Sequence, residues 1–220
     1  NLRFLDSLNV FKKEIEKNLI GQLLSVRAEV GQNLKSWRPE SDYAKGVSAQ
    51  KSLGGGALLE LSHEIDYLCW IFGPIEWTFG FVDKVSSLEI YVEDICHSLV
   101  KFQDSKNYSN LVANLTLDFL SKDSKRSCLV TGEKGSIKWD GIKNQVYIYK
   151  EDQWDCIFES DNDLNNSYKK ELRHFLDCIE KDKEPSISGK SASDVIDVIE
   201  SIKLSSKKSQ VVNVVYNKQI

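Results

Sequence analysis

Apolar residues recur every three or four positions in four stretches of the chain and at alternate positions in several others. These two periods lay out its elements. Leu5, Leu8, Phe11, Ile15 and Leu19 stand among lysines and glutamates and end at Gly21, which predicts an amphipathic helix with a glycine stop. From Leu23 to Val30 the pattern switches to alternation. Leu24, Val26, Ala28 and Val30 face one way and Ser25, Arg27 and Glu29 the other, as in a half-buried strand. Residues 31–53 have no period and include Trp37-Arg38-Pro39, so they read as a long loop, functional or mobile. A second helix is predicted over 57–72, with Leu58, Leu61, Ile65, Leu68 and Phe72 as its stripe and Gly73-Pro74 as its stop.

Strand signals dominate from Glu76 to Glu159. Trp77/Phe79/Phe81, Cys96/Ser98/Val100/Phe102 and Leu111/Ala113/Leu115/Leu117/Phe119 each keep a period of two, and Asn110, Asn114, Thr116 and Asp118 oppose the last set. One sheet face is thus apolar and the other fairly polar, which suits an antiparallel sheet covered by helices on one side. Gly132-Glu133-Lys134-Gly135 and Asp140-Gly141 mark turns. The chain then returns to helix, with stripes Tyr168/Leu172/Phe175/Leu176/Ile179 and Val195/Val198/Ile199/Ile202. Ser191, three residues before Asp194, suggests a capping box, and Val211–Tyr216 a last strand. This order predicts an α+β fold: an open-faced, largely antiparallel sheet with helices on one face, the other wet or paired with another subunit.

Composition narrows the function. The 220 residues suggest one large domain or two small ones, long enough for a full core. Twenty-nine basic and 33 acidic residues give a net charge of −4 without a basic face, which argues against nucleic acid. The longest apolar run, Leu68 to Phe72, is far too short to span a membrane. Five cysteines without regular spacing look like small buried hydrophobes in a reducing cytoplasm, not a metal site or disulfide framework. No Met occurs and the first residue is Asn1, so the chain is expected to be processed, cut or part of something longer.

The chemistry concentrates in Gly54-Gly55-Gly56-Ala57-Leu58-Leu59-Glu60-Leu61-Ser62-His63-Glu64-Ile65-Asp66-Tyr67-Leu68. Glycines leading into a helix let a ligand approach the backbone and its free N–H groups. Glu60, His63, Asp66, Tyr67 and Trp70 follow at helical spacing as a polar and aromatic flank, where a carboxylate can tune a histidine for proton transfer. On spacing alone, a satisfied structural histidine is the simpler reading of His63, and the three glycines need only form a loop. His63-Glu64 lacks the second histidine of a zinc motif, and His97 and His174 read as structural. The loop around Trp37 and Arg38 offers Arg38 to an anionic or sugar ligand, or merely covers the sheet. No G-x-G-x-x-G, P-loop or G-x-S-x-G occurs.

The glycine–histidine block, continuing into Trp70-Ile71-Phe72-Gly73, resembles the glucose–fructose oxidoreductase / inositol dehydrogenase / rhizopine-catabolism (Gfo/Idh/MocA) family. Asn1-Leu2-Arg3-Phe4, Ile20-Gly21, Trp37-Arg38-Pro39 with Asp42-Tyr43, Gly132-Lys134-Gly135-Ser136-Ile137, Glu171-Leu172 with Phe175-Leu176, and Ile199–Lys203 agree in order. The resemblance implies the second domain of that family, of the dihydrodipicolinate-reductase-like type. Residues 1–21 would be a linking helix of an absent Rossmann domain, and 22–220 a substrate-binding and oligomerisation domain. The glycine-rich NAD(P) fingerprint and the Glu-Lys-Pro motif of the first domain are missing. The family places an Asp four residues before its catalytic His. Here His63 matches the histidine, while Glu60 matches the acid counted from the glycines but stands only three residues before His63.

The resemblance further implies hydride transfer between nicotinamide and a sugar-like carbinol, with His63 and Glu60 as catalytic residues. Trp37, Arg38, Tyr43 and Tyr67 would contact substrate, and Gly55 and Gly56 the edge of an NAD or NADP held mainly by the absent domain. No metal is implied. A homo-oligomer formed through the open sheet face is expected, with no nucleic-acid or membrane partner. A non-catalytic binding or assembly module is the alternative, and a sugar-binding domain acting without nucleotide a third. The first reading expects His63 to face a cleft; the second expects it buried by neighbours.

Overall fold

The computed structural model describes residues 1–37, 39–161 and 164–217. The predicted antiparallel sheet is present, with nine strands among the described residues in the order β8-β7-β6-β5-β1-β4-β3-β2-β9. These are β1 (Leu23–Gly31), β2 (Ile75–Asp83), β3 (Ile95–Phe102), β4 (Val112–Asp118), β5 (Lys125–Gly132), β6 (Gly135–Asp140), β7 (Gln145–Lys150), β8 (Gln153–Glu159) and β9 (Val212–Asn213). Every neighbouring pair is antiparallel except β1 and β4, which run parallel from Val26↔Ala113 to Gly31↔Asp118. The first strand of the chain thus lies between β4 and β5 and joins two locally built halves.

One sheet face carries the core. Val26, Ala28 and Val30 of β1 line up with Ala113, Leu115 and Leu117 of β4 and with Val130 and Cys128 of β5, all buried. The helices lie on this face: α1 (Asp6–Glu16) over β6 and β7, α4 (His63–Phe72) over β1, and α6 (Gly189–Lys208) over β2. Gly80 of β2 makes room for α6, since a Cβ there would stand 2.9 Å from Ile202. Ser205 and Ser206 of the helix accept hydrogen bonds from the Gly80 and Val82 amides. The opposite face is uncovered and shows Phe79, Phe81, Leu99 and Trp154 among Arg27, Asn114 and His97.

Local departures from the predicted elements have physical causes. A bulge between Leu23 and Ser25 puts Leu23 in the core and leaves Leu24 exposed, so the alternation starts one residue late. The first helix ends at Glu16, before Asn18 and Gly21 turn left-handed, and Leu19 is exposed. The 31–53 loop is not structureless. It holds α2 (Leu34–Trp37) and three short 3-10 turns packed around the buried Ala49. The cap of α6 is Ser188, which accepts from the Ser191 amide, in place of the capping box expected at Ser191. The final strand shrinks to the two residues of β9. All five cysteines are free, and Cys156 is exposed on the edge strand β8, contrary to the expectation that each is buried. The stripe Tyr168, Leu172, Phe175, Leu176 and Ile179 lies on α5 (Leu164–Glu180) as predicted, yet faces outward.

Candidate active site

The predicted helix over 57–72 is two helices, α3 (Ala57–Glu60) and α4, separated by Leu61 and Ser62. The break decides where the acidic residues go. In one continuous helix Glu60 and Glu64, four apart, would share a face. Here Glu60 accepts a hydrogen bond from Ser48 of the preceding loop at 2.6 Å, whereas Glu64 turns into the core. No hydrogen bond among the described residues joins Glu60 to His63.

His63 opens α4 and is exposed. Its ring faces a groove of about 570 Å³ shared with Ser62 and Asp66 of its own segment, Glu171 of α5 and Ala192 and Ser193 of α6. Asp66 is fixed from behind by Arg3, whose Nε and Nη2 donate to its two carboxylate oxygens at 2.9 and 2.6 Å. Glu171 lies beside the first residue, its Oε1 3.1 Å from the Asn1 backbone nitrogen. The surrounding protein, then the charge of Arg126, hold the His63 pKa below its ordinary 6.5; Asp66 and Glu171 pull the other way. The ring is therefore uncharged at neutral pH and free to accept a proton.

The remaining candidates fall elsewhere. Tyr67, expected to touch substrate, is fully buried with its ring edge-on to Trp139 at 5.5 Å. It follows Ile65 and precedes Leu68 in the buried part of α4, so the core claims it. Trp37 is half-buried, edge-on to Phe119 at 5.2 Å, with its buried indole nitrogen unpaired. Tyr43 lies under Lys35 and accepts a hydrogen bond from the Glu89 amide at 3.3 Å. Neither lines the His63 groove. Arg38 lies outside the described residues.

Gly55 and Gly56, expected at the cofactor's edge, are closely packed on their Cβ side. A Cβ on Gly55 would stand 2.3 Å from the Val47 carbonyl oxygen, and one on Gly56, at φ +117°, 2.3 Å from a Glu93 carboxylate oxygen. On that side Gly55 packs against its own loop and Gly56 against Glu93, while Gly55 also lines a separate cavity of about 740 Å³ with Lys51 and Leu59.

Two side chains behind the groove were not among the predicted site residues. Glu64 is fully buried with Arg126 Nε of β5 2.8 Å from its Oε1. Burial pushes the Glu64 pKa up to about 7, against the pull of Arg126. The sequence did carry a signal, for Glu64 sits in the apolar stripe between Leu61 and Leu68, where an acid needs a buried partner. Among the described residues no group of three or more His, Cys, Asp or Glu side chains converges as a metal would require, and no helix is long and apolar enough to cross a membrane.

Comparison with known proteins places this arrangement in context. The family model described as the oxidoreductase family C-terminal alpha/beta domain matches residues 12–214. Levoglucosan dehydrogenase in complex with NADH is similar in fold, with a TM-score of 0.83 at 17% identity over 98% of this chain. An oxidoreductase from Agrobacterium radiobacter, in complex with NAD+, L-tartaric acid and magnesium, gives 0.76 at 15% identity over 96%. The WlbA dehydrogenase from Bordetella pertussis, in complex with NADH and UDP-GlcNAcA, gives 0.74 at 18% over 96%. The chain spans 65%, 63% and 61% of these three proteins, respectively. A search of curated proteins finds no match.

Proposed function

Since the chain belongs to the Gfo/Idh/MocA oxidoreductase family through its C-terminal α/β domain, we propose that it is the substrate-side domain of a nicotinamide-dependent dehydrogenase acting on a sugar-like carbinol. In this reading residues 1–21 lead in from a Rossmann domain that binds NAD or NADP, and residues 22–220 shape the substrate site. The dinucleotide is then held mainly by that companion domain, with Gly55 and Gly56 at its edge. Nicotinamide supplies the hydride acceptor or donor. This chain's share is to hold the carbinol in the groove and to manage its proton.

The carrying observation is His63. It is exposed in a groove, makes no hydrogen bond with the described residues, and is kept uncharged by its surroundings. A histidine so placed accepts the hydroxyl proton in oxidation and returns it in reduction. An assembly module would bury the same residue. Asp66, clamped by Arg3, offers a fixed carboxylate within one turn of the ring. Glu60, bonded to Ser48, supports the loop that leads into this region.

The sugar-like substrate class is supported by similar proteins whose structures contain levoglucosan, L-sorbose and UDP-GlcNAcA. The uncovered sheet face, with Phe79, Phe81 and Leu99, is the surface through which we expect copies to pair. The test is turnover by the full-length protein over a panel of sugars and sugar derivatives. His63→Ala is expected to lower it by roughly 10²–10⁴. A near-wild-type rate would remove His63 from the mechanism, and turnover of NAD(P)H by the 220-residue chain alone would overturn the division between domains.

A further inference from the structure

The start of α4 has no side-chain cap: Ser62, its N-cap residue, makes no capping hydrogen bond. No hydrogen bond among the described residues holds the His63 ring either. Yet a group that moves protons must be held in position. The side chain that ties this turn down is the next one along. Glu64 points inward, fully buried, and meets Arg126 of β5 at 2.8 Å. Gly141 lets that arginine lie flat, since a Cβ there would press within 2.8 Å of the Arg126 stem and 2.7 Å of the Trp139 ring. One turn further along α4, the buried Tyr67 packs on the same Trp139.

A buried ion pair is a poor way to gain stability, because desolvation consumes most of the attraction. Apolar residues of similar volume would serve the core as well. The pair occurs immediately beside the one exposed imidazole of the groove, since Glu64 follows His63 in α4, and its cation is the sheet charge that acts on that ring. We propose that Glu64 and Arg126 form a positioning device for His63: Glu64 anchors the first turn of α4 to β5, and the arginine it holds supplies a fixed positive charge to the imidazole. This deepens the proposed role of His63 and rests on it for its purpose. Arg126 touches no substrate and acts only through His63.

Three charged side chains face His63: Arg126 from β5, Asp66 from α4 and Glu171 from α5. Removing the arginine takes away a charge that disfavours the imidazolium, so the His63 pKa must rise. The chain has three histidines, which makes NMR titration of the ring protons direct. Arg126→Gln is expected to raise the His63 midpoint and leave His97 and His174 unmoved; Arg126→Lys, which keeps the charge, is expected to restore most of the wild-type value. Should Arg126→Gln fail to fold with its carboxylate stranded, the double variant Glu64→Gln/Arg126→Met removes both charges together and is expected to shift His63 upward as well. In the full-length enzyme the acidic limb of the kcat/KM pH profile should move with the His63 midpoint. A folded Arg126→Gln or double variant whose His63 titrates as in the wild type overturns the proposal. Failure of the catalytic reading looks different: His63→Ala would keep its turnover while the titration shift persisted.

Discussion

Ser7, in the first turn of α1, sits at the centre of a buried polar chain that fixes this helix to the sheet. Its hydroxyl accepts from Trp139 Nε1 of β6 at 3.0 Å and donates to Asn144 Oδ1 at 3.1 Å. Ser7 and Trp139 are 0% exposed and Asn144 1%. Ser7→Ala removes both bonds and adds no bulk. The variant takes the acceptor from the indole N–H and the hydroxyl donor from Asn144 Oδ1. The larger cost falls on the indole N–H, a donor left without its acceptor in a dry site. A stranded buried donor costs about 1–3 kcal/mol, so with the second lost bond the variant should lose roughly 2–3 kcal/mol. At about 2–4 °C per kcal/mol for a chain of this size, Tm should fall by roughly 4–12 °C. Urea unfolding followed by tryptophan fluorescence measures the loss directly, with the slope m unchanged. Trp139→Phe supplies the internal control, because it removes the donor that Ser7→Ala strands. In that background Ser7→Ala should cost less than half as much. A single-variant loss below about 0.5 kcal/mol, or equal losses in both backgrounds, would refute the idea that this bond fixes α1.

Three further outcomes follow from other parts of the molecule. Because the folded-state pKa of Glu64 is raised from 4.5 to about 7, the folded protein holds a proton that the unfolded chain releases at lower pH. Wild type should therefore lose stability relative to Glu64→Gln as pH rises from 4.5 to 7, and the gap should stay constant above; urea midpoints with no pH dependence in that gap would contradict the assignment. Gly55→Ala should destabilise by more than about 2 kcal/mol, since its Cβ meets the Val47 backbone at 2.3 Å. Gly54→Ala, with open space around it but φ at +81°, should cost only about 1–2 kcal/mol by thermal melting, and equal losses would point away from the loop contact. Finally, light scattering should report self-association that Phe81→Asp, on the open sheet face, abolishes; a wild-type monomer at micromolar concentration would rule out pairing through that face.

The fold was legible in the sequence wherever a period ran uninterrupted. β4 kept its alternation from Val112 to Asp118, and α6 its stripe from Val195 to Ile202, because each buries one continuous face. Legibility failed where a tertiary contact outweighed the local pattern. The stripe 58, 61, 65, 68, 72 reads as one helix, yet the diverging demands of Glu60 and Glu64 break it, a conflict visible only once Ser48 and Arg126 have been brought close. Tyr67 had the spacing of a site residue and the size of a core residue, and Trp139 decided for the core. The glycines promised an open backbone, but the residues that fill it, Val47 and Glu93, lie eight and 37 positions away from Gly55 and Gly56, respectively. Spacing singled out His63 as a candidate, and the family resemblance turned it from a structural histidine into a catalytic one. Its exposure in the groove is what the sequence alone did not supply.

The place of β1 between β4 and β5 has a consequence for how the chain is made. Its partners begin at Val112 and Lys125, so β1 leaves the ribosome roughly 80–100 residues ahead of both. At about 5–20 residues per second it waits several seconds with neither edge paired. The meanders on either side can close early from local contacts, whereas seating β1 needs both of them and a long loop closure, which makes it a late and slow step. During that wait Arg27 and Glu29, alternating with the apolar residues, keep the strand from pairing with the wrong chain.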